Sequence, residues 1–291
     1  MLKISKQGSF FIGRFPDRMY VQFQVPQKVR HPEPIIMIPG GAHTGACYES
    51  TPDGRAGWKD YFLKKGFRIY VPDWPGTGRS GSHPHFCTLS GTIMVNLLIE
   101  LLEKLKPICP AILLTHSMSG AYGWKVAEKV PQLVSKIVAI APGPPGNIMS
   151  NSKEKFFKNI REPVIINREE AKSVWANARR FPDPHFEEYF NSLAALSPHL
   201  ANERVNYKDS QLRINPRQLP LVKILIVTGD SDPRHSKEAD KSIVAFFRRH
   251  YIKAEHYWLP DFGITGNGHL LMIERNNLDI AELIYRWLQE K

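Results

Sequence analysis

Ser117 and His269 are the two residues of this sequence whose type and surroundings most directly suggest chemistry. Ser117 lies in AILLTHSMSG, residues 111–120, where an apolar run passes into a turn of small polar residues that precedes a helical pattern. A serine at a strand-to-helix turn is exposed for nucleophilic attack, and the tight turn requires small residues two positions away on either side, here Thr115 and Ser119. The competing interpretation is an ordinary helix start capped by the serine hydroxyl.

His269 follows the last predicted strand, in GITGNGHLLMIERNN, and precedes a final amphipathic helix. The ordinary pKa of histidine is close to neutrality, so this side chain can accept the proton of a serine and return it to a leaving group. A carboxylate must orient such a histidine. The run VTGDSDPRH offers Asp232 and Asp230; we favour Asp232, and expect one of the two to be a turn residue.

A glycine-rich loop follows the third predicted strand, in PIIMIPGGAHTGACYE, residues 34–49. Backbone N–H groups in such a loop, and on the residue after a nucleophile, can bind the oxyanion that develops during acyl transfer. By position these donors are Gly41 and Met118, and glycine lets the backbone approach the substrate oxygen closely. His43 and Tyr48 either line the acyl pocket or brace the loop. For the two glycines, a simple strand-end turn is the alternative.

Neither a metal nor a cofactor is expected. His83, His85 and Cys87 in GSHPHFC lack an evident fourth ligand, and structural zinc normally takes four, so a surface loop is the better interpretation. Cys47 lies near enough to the candidate site to be a reactive thiol, and Cys109 has the setting of a small buried residue. Three cysteines in 291 residues do not make a disulfide scaffold, and they fit a reducing compartment or buried thiols.

Short apolar runs separated by amphipathic segments indicate the elements that position these residues. The predicted strands are 8–12, 19–25, 35–38, 67–71, 111–115, 136–140, 222–227 and 254–259. Apolar residues recur at helical spacing in stretches such as 89–105 and 281–289. This alternation predicts β-α-β units and a largely parallel sheet, which is an α/β fold.

Residues 146–217 break the alternation, because they contain helical patterns and proline-rich turns but no convincing strand. We expect a helical cap inserted after the sixth strand, dividing the core into residues 1–145 and 218–291, since so long a connection is more often functional than idle. Its predicted helices are 152–159, 168–179 and 185–196. Its basic candidates for binding a substrate carboxylate are Arg161, Arg168, Arg179 and Arg180.

The order Ser117, Asp232, His269 and several further runs resemble the α/β-hydrolase superfamily. The runs are GSFFIG, MYVQFQVP, GGAHTGACYESTPDGRAGW, DWPGTGRSG and GHLLMIERNNLDIA, and they are similar to a bacterial serine esterase subgroup with a GG-x-HTG oxyanion loop. The resemblance covers most of the core from residue 8 onward. It implies a mostly parallel eight-stranded sheet flanked by helices, and a carboxylic ester hydrolase that works through an acyl-enzyme without a cofactor.

Two departures from that family keep other functions open. Thr115 and Ser119 replace the glycines of the usual G-x-S-x-G turn, and the end of the sixth strand has Ala141 and Pro142 where members of the subgroup can carry a glutamate as the triad acid. A second hypothesis is therefore another reaction at the same site, such as lactone opening, C–C cleavage or acyl transfer. A third is a non-catalytic ligand receptor, whose usual mark would be a lost triad residue.

The composition sets the expected surroundings of the protein. Lys and Arg number 39 against 28 Asp and Glu, a net charge of +11 that is spread along the chain, so nucleic-acid binding is the minor interpretation. No apolar run is long enough for a signal-peptide core or a bilayer span. We expect a cytoplasmic protein acting on a small-molecule ester or lactone, with neither nucleic acid nor membrane as partner, and we leave a homodimer open.

Overall fold

A computed structural model describes residues 3–219 and 221–290 of the chain. The predicted core ranges and turns also include four residues that lie outside the described ones, namely Met1, Leu2, Pro220 and Lys291. Among the helices that are described, none combines the length and apolar character needed to cross a bilayer.

Eight strands form one sheet, which confirms the predicted α/β-hydrolase fold class. The strands are β1 (Ile4–Ile12), β2 (Met19–Pro26), β3 (Ile35–Ile38), β4 (Ile69–Asp73), β5 (Ala111–His116), β6 (Val134–Ile140), β7 (Lys223–Thr228) and β8 (Ala254–Trp258). The apolar pattern missed the first four residues of β1 because most of that edge strand is exposed and polar. Its pairing with β2 defines it instead.

The spatial order of the strands is β1-β2-β4-β3-β5-β6-β7-β8. β2 runs antiparallel to β1 and β4, and the remaining pairs are parallel. β3 and β5 are buried along their whole length, as expected for parallel strands covered on both faces. Segments that leave the carboxyl ends of these parallel strands meet at one edge of the sheet, which is where open α/β sheets bind ligands.

Helices cover both faces of the sheet, and others lie in residues 146–217. They are α1 (Ala46–Glu49), α2 (Trp58–Lys65), α3 (Gly91–Lys104), α4 (Ser119–Lys129), α5 (Arg168–Glu170), α6 (Phe186–Asn191), α7 (Pro198–Arg204), α8 (Lys237–Arg249) and α9 (Asn277–Gln289). The buried faces of α3, α4 and α8 belong to one apolar cluster, and those of α2 and α9 to another. Trp124 and Trp58 are the largest fully buried side chains of the two clusters.

Residues 146–217 contain α5, α6 and α7, and they depart from all three of the predicted helices. Residues 152–159 are not helical, because the backbone of Phe157 is bonded in both directions to the Asn202 side chain on α7 and Ser152 bridges to Tyr207. α5 continues as a π-helical turn (Ala171–Trp175) and stops there. The strand-like pairing of Leu196 with Val164 ends the helical run before 196.

Candidate active site

Ser117 occupies the turn between β5 and α4 in a left-handed backbone conformation, with φ of 53°. Its N–H donates to the Ile140 carbonyl at 2.9 Å, and its carbonyl accepts the N–H groups of Gly120 and Gly143 at 2.9 and 2.7 Å. A positive φ at a residue other than glycine is uncommon and strained. The strain is held by bonds to β6 and the loop after it, and the turn presents Ser117 at the sheet edge.

Small residues allow the turn to pack closely. A Cβ on Gly40 would lie 2.7 Å from His116 Nδ1 and 3.1 Å from Ser117 Cβ, so only glycine brings this loop against the turn. Ser119 accepts the His116 N–H at 2.8 Å, and its hydroxyl lies 3.1 Å from the Ile38 carbonyl. Thr115 fits because Gly123 on α4 leaves space for its methyl group.

His269 and Asp232 form a buried pair, with Nδ1 of the histidine 2.6 Å from the carboxylate Oδ2. Their exposed fractions are 2% and 6%. Burial lowers the pKa of His269 below its ordinary value, although Asp232 opposes that shift. Burial alone would raise the pKa of Asp232, but the charge and the hydrogen bond of His269 lower it. At neutral pH the pair is therefore a neutral imidazole that donates Nδ1–H to a carboxylate.

Asp230 has a different role from Asp232. Its Oδ1 accepts the backbone N–H groups of Gly266 and Asn267 at 2.8 and 3.0 Å. These bonds shape the loop that leads to His269. Of the two aspartates, Asp232 is thus the one that contacts the imidazole, and Asp230 is a turn residue.

His116 connects the serine turn to the histidine loop. Its Nε2 lies 3.0 Å from the His269 carbonyl and donates to it, and the two ring centroids are 4.8 Å apart. Burial, with His269 and His43 nearby, lowers the pKa of His116 well below its ordinary value, so this ring stays neutral. Within the part of the chain that the structure describes, the Ser117 hydroxyl and the His269 ring form no direct hydrogen bond.

Glu274 and Arg55 fix the loop around His269. Fully buried Glu274 accepts the Gly268 N–H at 2.7 Å and the Asn267 amide at 2.5 Å. Burial raises the pKa of Glu274 to about 7. The Arg55 guanidinium donates to the backbone carbonyls of Ile273, Glu274 and Arg275 at 3.1 Å each. The motif N-G-H-x-x-x-x-E therefore encodes both the histidine and the carboxylate that holds its loop.

Two narrow cavities meet at Gly41, Met118 and Leu196. Each has about 20 Å³ of free volume, which is room for roughly one water molecule. The first also contains Ser117 and is lined by Phe156, Phe157, Ile166, Glu170, Trp175, Arg204 and Arg234. The second is mainly apolar, and its larger side chains are Trp74, Phe86, Leu89, Met94 and Leu200.

The sequence profile described as "Alpha/beta hydrolase family" matches residues 35–283, which is most of the chain. The chain belongs to the α/β-hydrolase family. Among curated proteins it is 26% identical to the "Probable secreted lipase phiG" of Fungal sp. (strain ATCC 74256), over 99% of this chain and 91% of that protein. It is 25% identical to a 2-hydroxy-6-oxononadienedioate/2-hydroxy-6-oxononatrienedioate hydrolase of Comamonas testosteroni, over 56% of this chain and 62% of that one.

Solved structures share the α/β-hydrolase fold over nearly the whole chain. A thermophilic esterase from Thermogutta terrifontis superimposes with a TM-score of 0.70 at 17% identity, covering 98% of each chain. A structure described as a novel bacterial esterase superimposes with a TM-score of 0.65 at 22% identity, covering 99% of this chain and 96% of that one. These likenesses support the fold.

The other residues predicted for this α/β-hydrolase site occupy distinct positions. His43 lines the apolar cavity; its Nδ1 lies 2.8 Å from the Gly41 carbonyl and its Nε2 lies 3.0 Å from the Tyr189 hydroxyl. Tyr48 is fully buried and donates its hydroxyl to the Ile38 carbonyl at 2.9 Å. This contact favours a bracing position for Tyr48.

The four arginines that the sequence suggested for a substrate carboxylate do not line the Ser117 cavity. Arg161 lies on the surface, for example, and Arg168 pairs there with Glu187. Arg204 and Arg234 line the cavity instead. Sequence reasoning missed both, because α7 was not predicted and because Arg234 was noted only as part of the VTGDSDPRH turn.

Asp232, His235 and His269 place potential metal-ligating atoms within 4.8 Å of one another. Internal contacts occupy one ring nitrogen of each histidine, since His269 Nδ1 binds Asp232 and His235 Nδ1 lies 3.0 Å from Asp240 Oδ1. Cys47 is a free cysteine, and burial raises its pKa far above the ordinary thiol value, so the reactive thiolate is disfavoured.

Proposed function

We propose that this protein is a serine hydrolase that cleaves a carboxylic ester or lactone through an acyl-enzyme. The observation that carries the proposal is the buried Asp232–His269 pair next to the strained turn of Ser117. A neutral imidazole with a lowered pKa can accept the serine proton, and a carboxylate behind it stabilises the resulting cation. In substrate-free enzymes the serine–histidine bond is often long, and it tightens when substrate binds.

In this mechanism the Ser117 hydroxyl attacks the substrate carbonyl while His269 Nε2 takes its proton. The N–H groups of Gly41 and Met118 stabilise the tetrahedral oxyanion. The intermediate collapses, the ester C–O bond breaks, and His269 returns the proton to the departing alcohol oxygen. Water then attacks the acyl-enzyme with His269 again as base, which releases the acid and restores Ser117. Asp232 remains ionised and holds the imidazole orientation throughout.

The names of two relatives bear on the choice of reaction. The fungal relative is named a lipase, which supports ester hydrolysis here, and its alignment covers almost the whole chain. The Comamonas relative is named for a dienedioate or trienedioate hydrolase, which supports C–C bond cleavage as the second candidate. We propose that the chain belongs to the bacterial serine esterase subgroup with the GG-x-HTG loop. A non-catalytic receptor ranks lowest, because Ser117, Asp232 and His269 are all present in the sequence.

We further propose that residues 146–217 act as a cap over the site. Phe156, Phe157 and Trp175 from this segment line the cavity with Ser117. Because the free volume there matches about one water molecule, a substrate requires this segment or its side chains to move. Movement of the cap would couple substrate entry to exclusion of bulk water.

The surroundings of the enzyme remain proposals. We infer a cytoplasmic location from the sequence, whereas the fungal relative is named as secreted. Fractionation of the native host, with antibody detection of this chain, decides between the two. We also propose that the protein does not bind nucleic acid, and sedimentation equilibrium will establish whether it is a homodimer.

The proposed function is tested by intact-protein mass spectrometry after exposure to a fluorophosphonate, together with hydrolysis of 4-nitrophenyl acetate. We expect a single adduct and turnover in the wild type, and loss of both in Ser117→Ala. Ser242→Ala, which changes an exposed serine on α8, is the matched control and should behave as the wild type. A folded wild type without adduct or turnover would exclude the serine-hydrolase mechanism. Products from ester, lactone and diketone substrates then identify the reaction.

A further inference from the structure

The cavity that contains Ser117 carries more positive than negative charge. Arg204 ends α7, Arg234 follows Asp232 by two positions, and Glu170 ends α5; all three line this cavity. The Glu170 carboxylate pairs with Arg234 at 3.5 Å. Among the residues that line this cavity, two guanidinium groups thus accompany one carboxylate, and the Asp232 carboxylate also acts on Arg234.

Arg204 lacks a polar partner among the residues that the structure describes. Its Nε is buried and forms no hydrogen bond, and its guanidinium lies 5.6 Å above the ring of Phe156. Burial, together with the nearby charge of Arg234, lowers the pKa of Arg204 to about 10, so the group still carries its charge at neutral pH. Glu170 contributes an opposite charge nearby, but its carboxylate pairs with Arg234. The buried Nε–H of Arg204 is left without an acceptor, and such donors are normally hydrogen-bonded.

The partly buried arginines Arg55 and Arg79, outside this cavity, have hydrogen-bond partners within the protein. Arg55 donates to Asp53 and to three loop carbonyls. Arg79 donates to both Asp73 and Glu49. Arg204 has neither kind of partner, so its unused donors point to a ligand.

We propose that the substrate carries a carboxylate group in addition to its scissile bond, and that this carboxylate pairs with Arg204 and Arg234 next to Ser117. The planar guanidinium fork matches a carboxylate in two-point hydrogen bonding. The adjoining cavity, with Trp74 and Phe86, receives the apolar part of the substrate. The inference rests on the proposed function, since it names the substrate class of the same site.

Two matched ester pairs test this at constant salt. The first compares mono-4-nitrophenyl glutarate with its methyl ester, which places the carboxylate on the acyl side. The second compares 4-acetoxybenzoate with methyl 4-acetoxybenzoate, which places it on the alcohol side. We expect the wild type to favour the anion in at least one pair. Arg204→Gln should reduce that preference in kcat/KM about 10- to 100-fold, chiefly through KM.

Controls separate a binding role from a structural one. Arg213→Gln removes an exposed arginine that pairs with Asp209 outside the cavity, and it should keep the wild-type preference. The loss of kcat/KM in Arg204→Gln should be larger for the anionic ester of each pair than for its neutral partner, and its Tm should be unchanged or higher because a buried donor without an acceptor is removed. Equal loss on anionic and neutral esters, or an anion preference that survives in Arg204→Gln, would overturn the proposal.

A binding measurement keeps the proposal separate from the proposed function. Ser117→Ala is titrated by calorimetry with monomethyl glutarate and with benzoate, so no turnover is required. We expect at least one anion to bind to Ser117→Ala and to lose that binding in the double variant Ser117→Ala, Arg204→Gln. This result supports a carboxylate site even if no ester is hydrolysed. Failure of both anions to bind overturns it, including in the case where ester hydrolysis is found.

Discussion

Ser117 has a backbone conformation that glycine adopts freely. The residue at this position is nevertheless a serine, and it lines the cavity. A non-glycine residue in such a region is destabilised by about 1–3 kcal/mol. The surrounding hydrogen bonds to Ile140, Gly120 and Gly143 compensate for this strain. At the residue scale, the candidate site therefore combines a strained serine turn with a buried histidine–aspartate pair.

The two aspartates of VTGDSDPRH should respond differently to the same chemical change. Asp232→Asn leaves the imidazole without its carboxylate and favours the wrong tautomer, so kcat should fall about 10²- to 10⁴-fold. Asp230→Asn retains an oxygen that can accept the Gly266 and Asn267 N–H groups, so kcat should change less than about tenfold. Steady-state kinetics with circular dichroism of both variants provide the comparison. Similar losses in the two would contradict the assignment of Asp232.

The pH dependence of kcat/KM should report the ionisation of His269. Protonated His269 cannot accept the serine proton, so activity falls as pH decreases through its pKa. Because burial lowers this pKa, the half-point of the acid limb should lie below about 6.5. In Asp232→Asn the opposing carboxylate is absent and the half-point should move to still lower pH. A wild-type half-point above the ordinary histidine value would contradict this picture.

At the element scale, the contact between β5 and α4 depends on a matched pair of side chains. A Cβ on Gly123 would lie 2.8 Å from the Thr115 methyl carbon, while the other Thr115 atoms are 3.9 Å away. Gly123→Ala should lower the free energy of unfolding by about 1–3 kcal/mol, partly offset by better helix propensity.

Thr115→Ser removes only the obstructing methyl group, so it should rescue Gly123→Ala. Urea unfolding of the wild type, both single variants and the double variant gives the coupling free energy, which we expect to reach about 1 kcal/mol or more. Additive effects would show that the two positions do not contact each other. This pair also explains how a threonine is accommodated at a position where the usual motif has glycine.

Glu274, in the loop that carries His269, should make the free energy of unfolding depend on pH. Its pKa is raised from 4.5 to about 7, so the folded state binds a proton that the unfolded state has released. This contribution is present below about pH 4.5 and is lost as pH rises through about 7. Each pKa unit corresponds to 1.36 kcal/mol, so the loss is about 3 kcal/mol.

Glu274→Gln should therefore gain stability relative to wild type as the buffer changes from about pH 5 to about pH 8. The glutamine keeps one oxygen for the Gly268 N–H. The difference in unfolding free energy between the two proteins isolates Glu274 from the histidines that titrate in the same range. A difference that does not vary with pH would show that Glu274 stays ionised throughout.

At the scale of the whole molecule, one sheet separates two apolar clusters and supports the site at its edge. The net charge of +11 is distributed over the chain. We expect any retention on double-stranded DNA to be weak near 50 mM salt and to vanish by about 200 mM, because dispersed charges neutralise few phosphates at once. Filter binding across this range is the measurement. Retention that persists at the higher salt would identify a nucleic-acid surface.

The sequence by itself determined the sheet and the order of the reactive residues. Buried parallel strands are continuous apolar runs, and this signal is local, so these strands were predicted with errors confined to their ends. The exposed edge strand β1 lacks that signal, and its first four residues were missed. Ser117, Asp232 and His269 follow such strands or turns, and their positions could be inferred from chain order.

Only the tertiary structure decided which groups contact one another. Asp232 and Asp230 look alike in sequence, and the fold brings just one of them to the imidazole. Residues 152–159 have a helical pattern, but Asn202 holds their backbone in another conformation. Arg204 lines the cavity because it lies at the end of α7, a helix that the local sequence pattern did not predict. Such outcomes depend on contacts between distant residues, and single-sequence periodicity contains no information about those contacts.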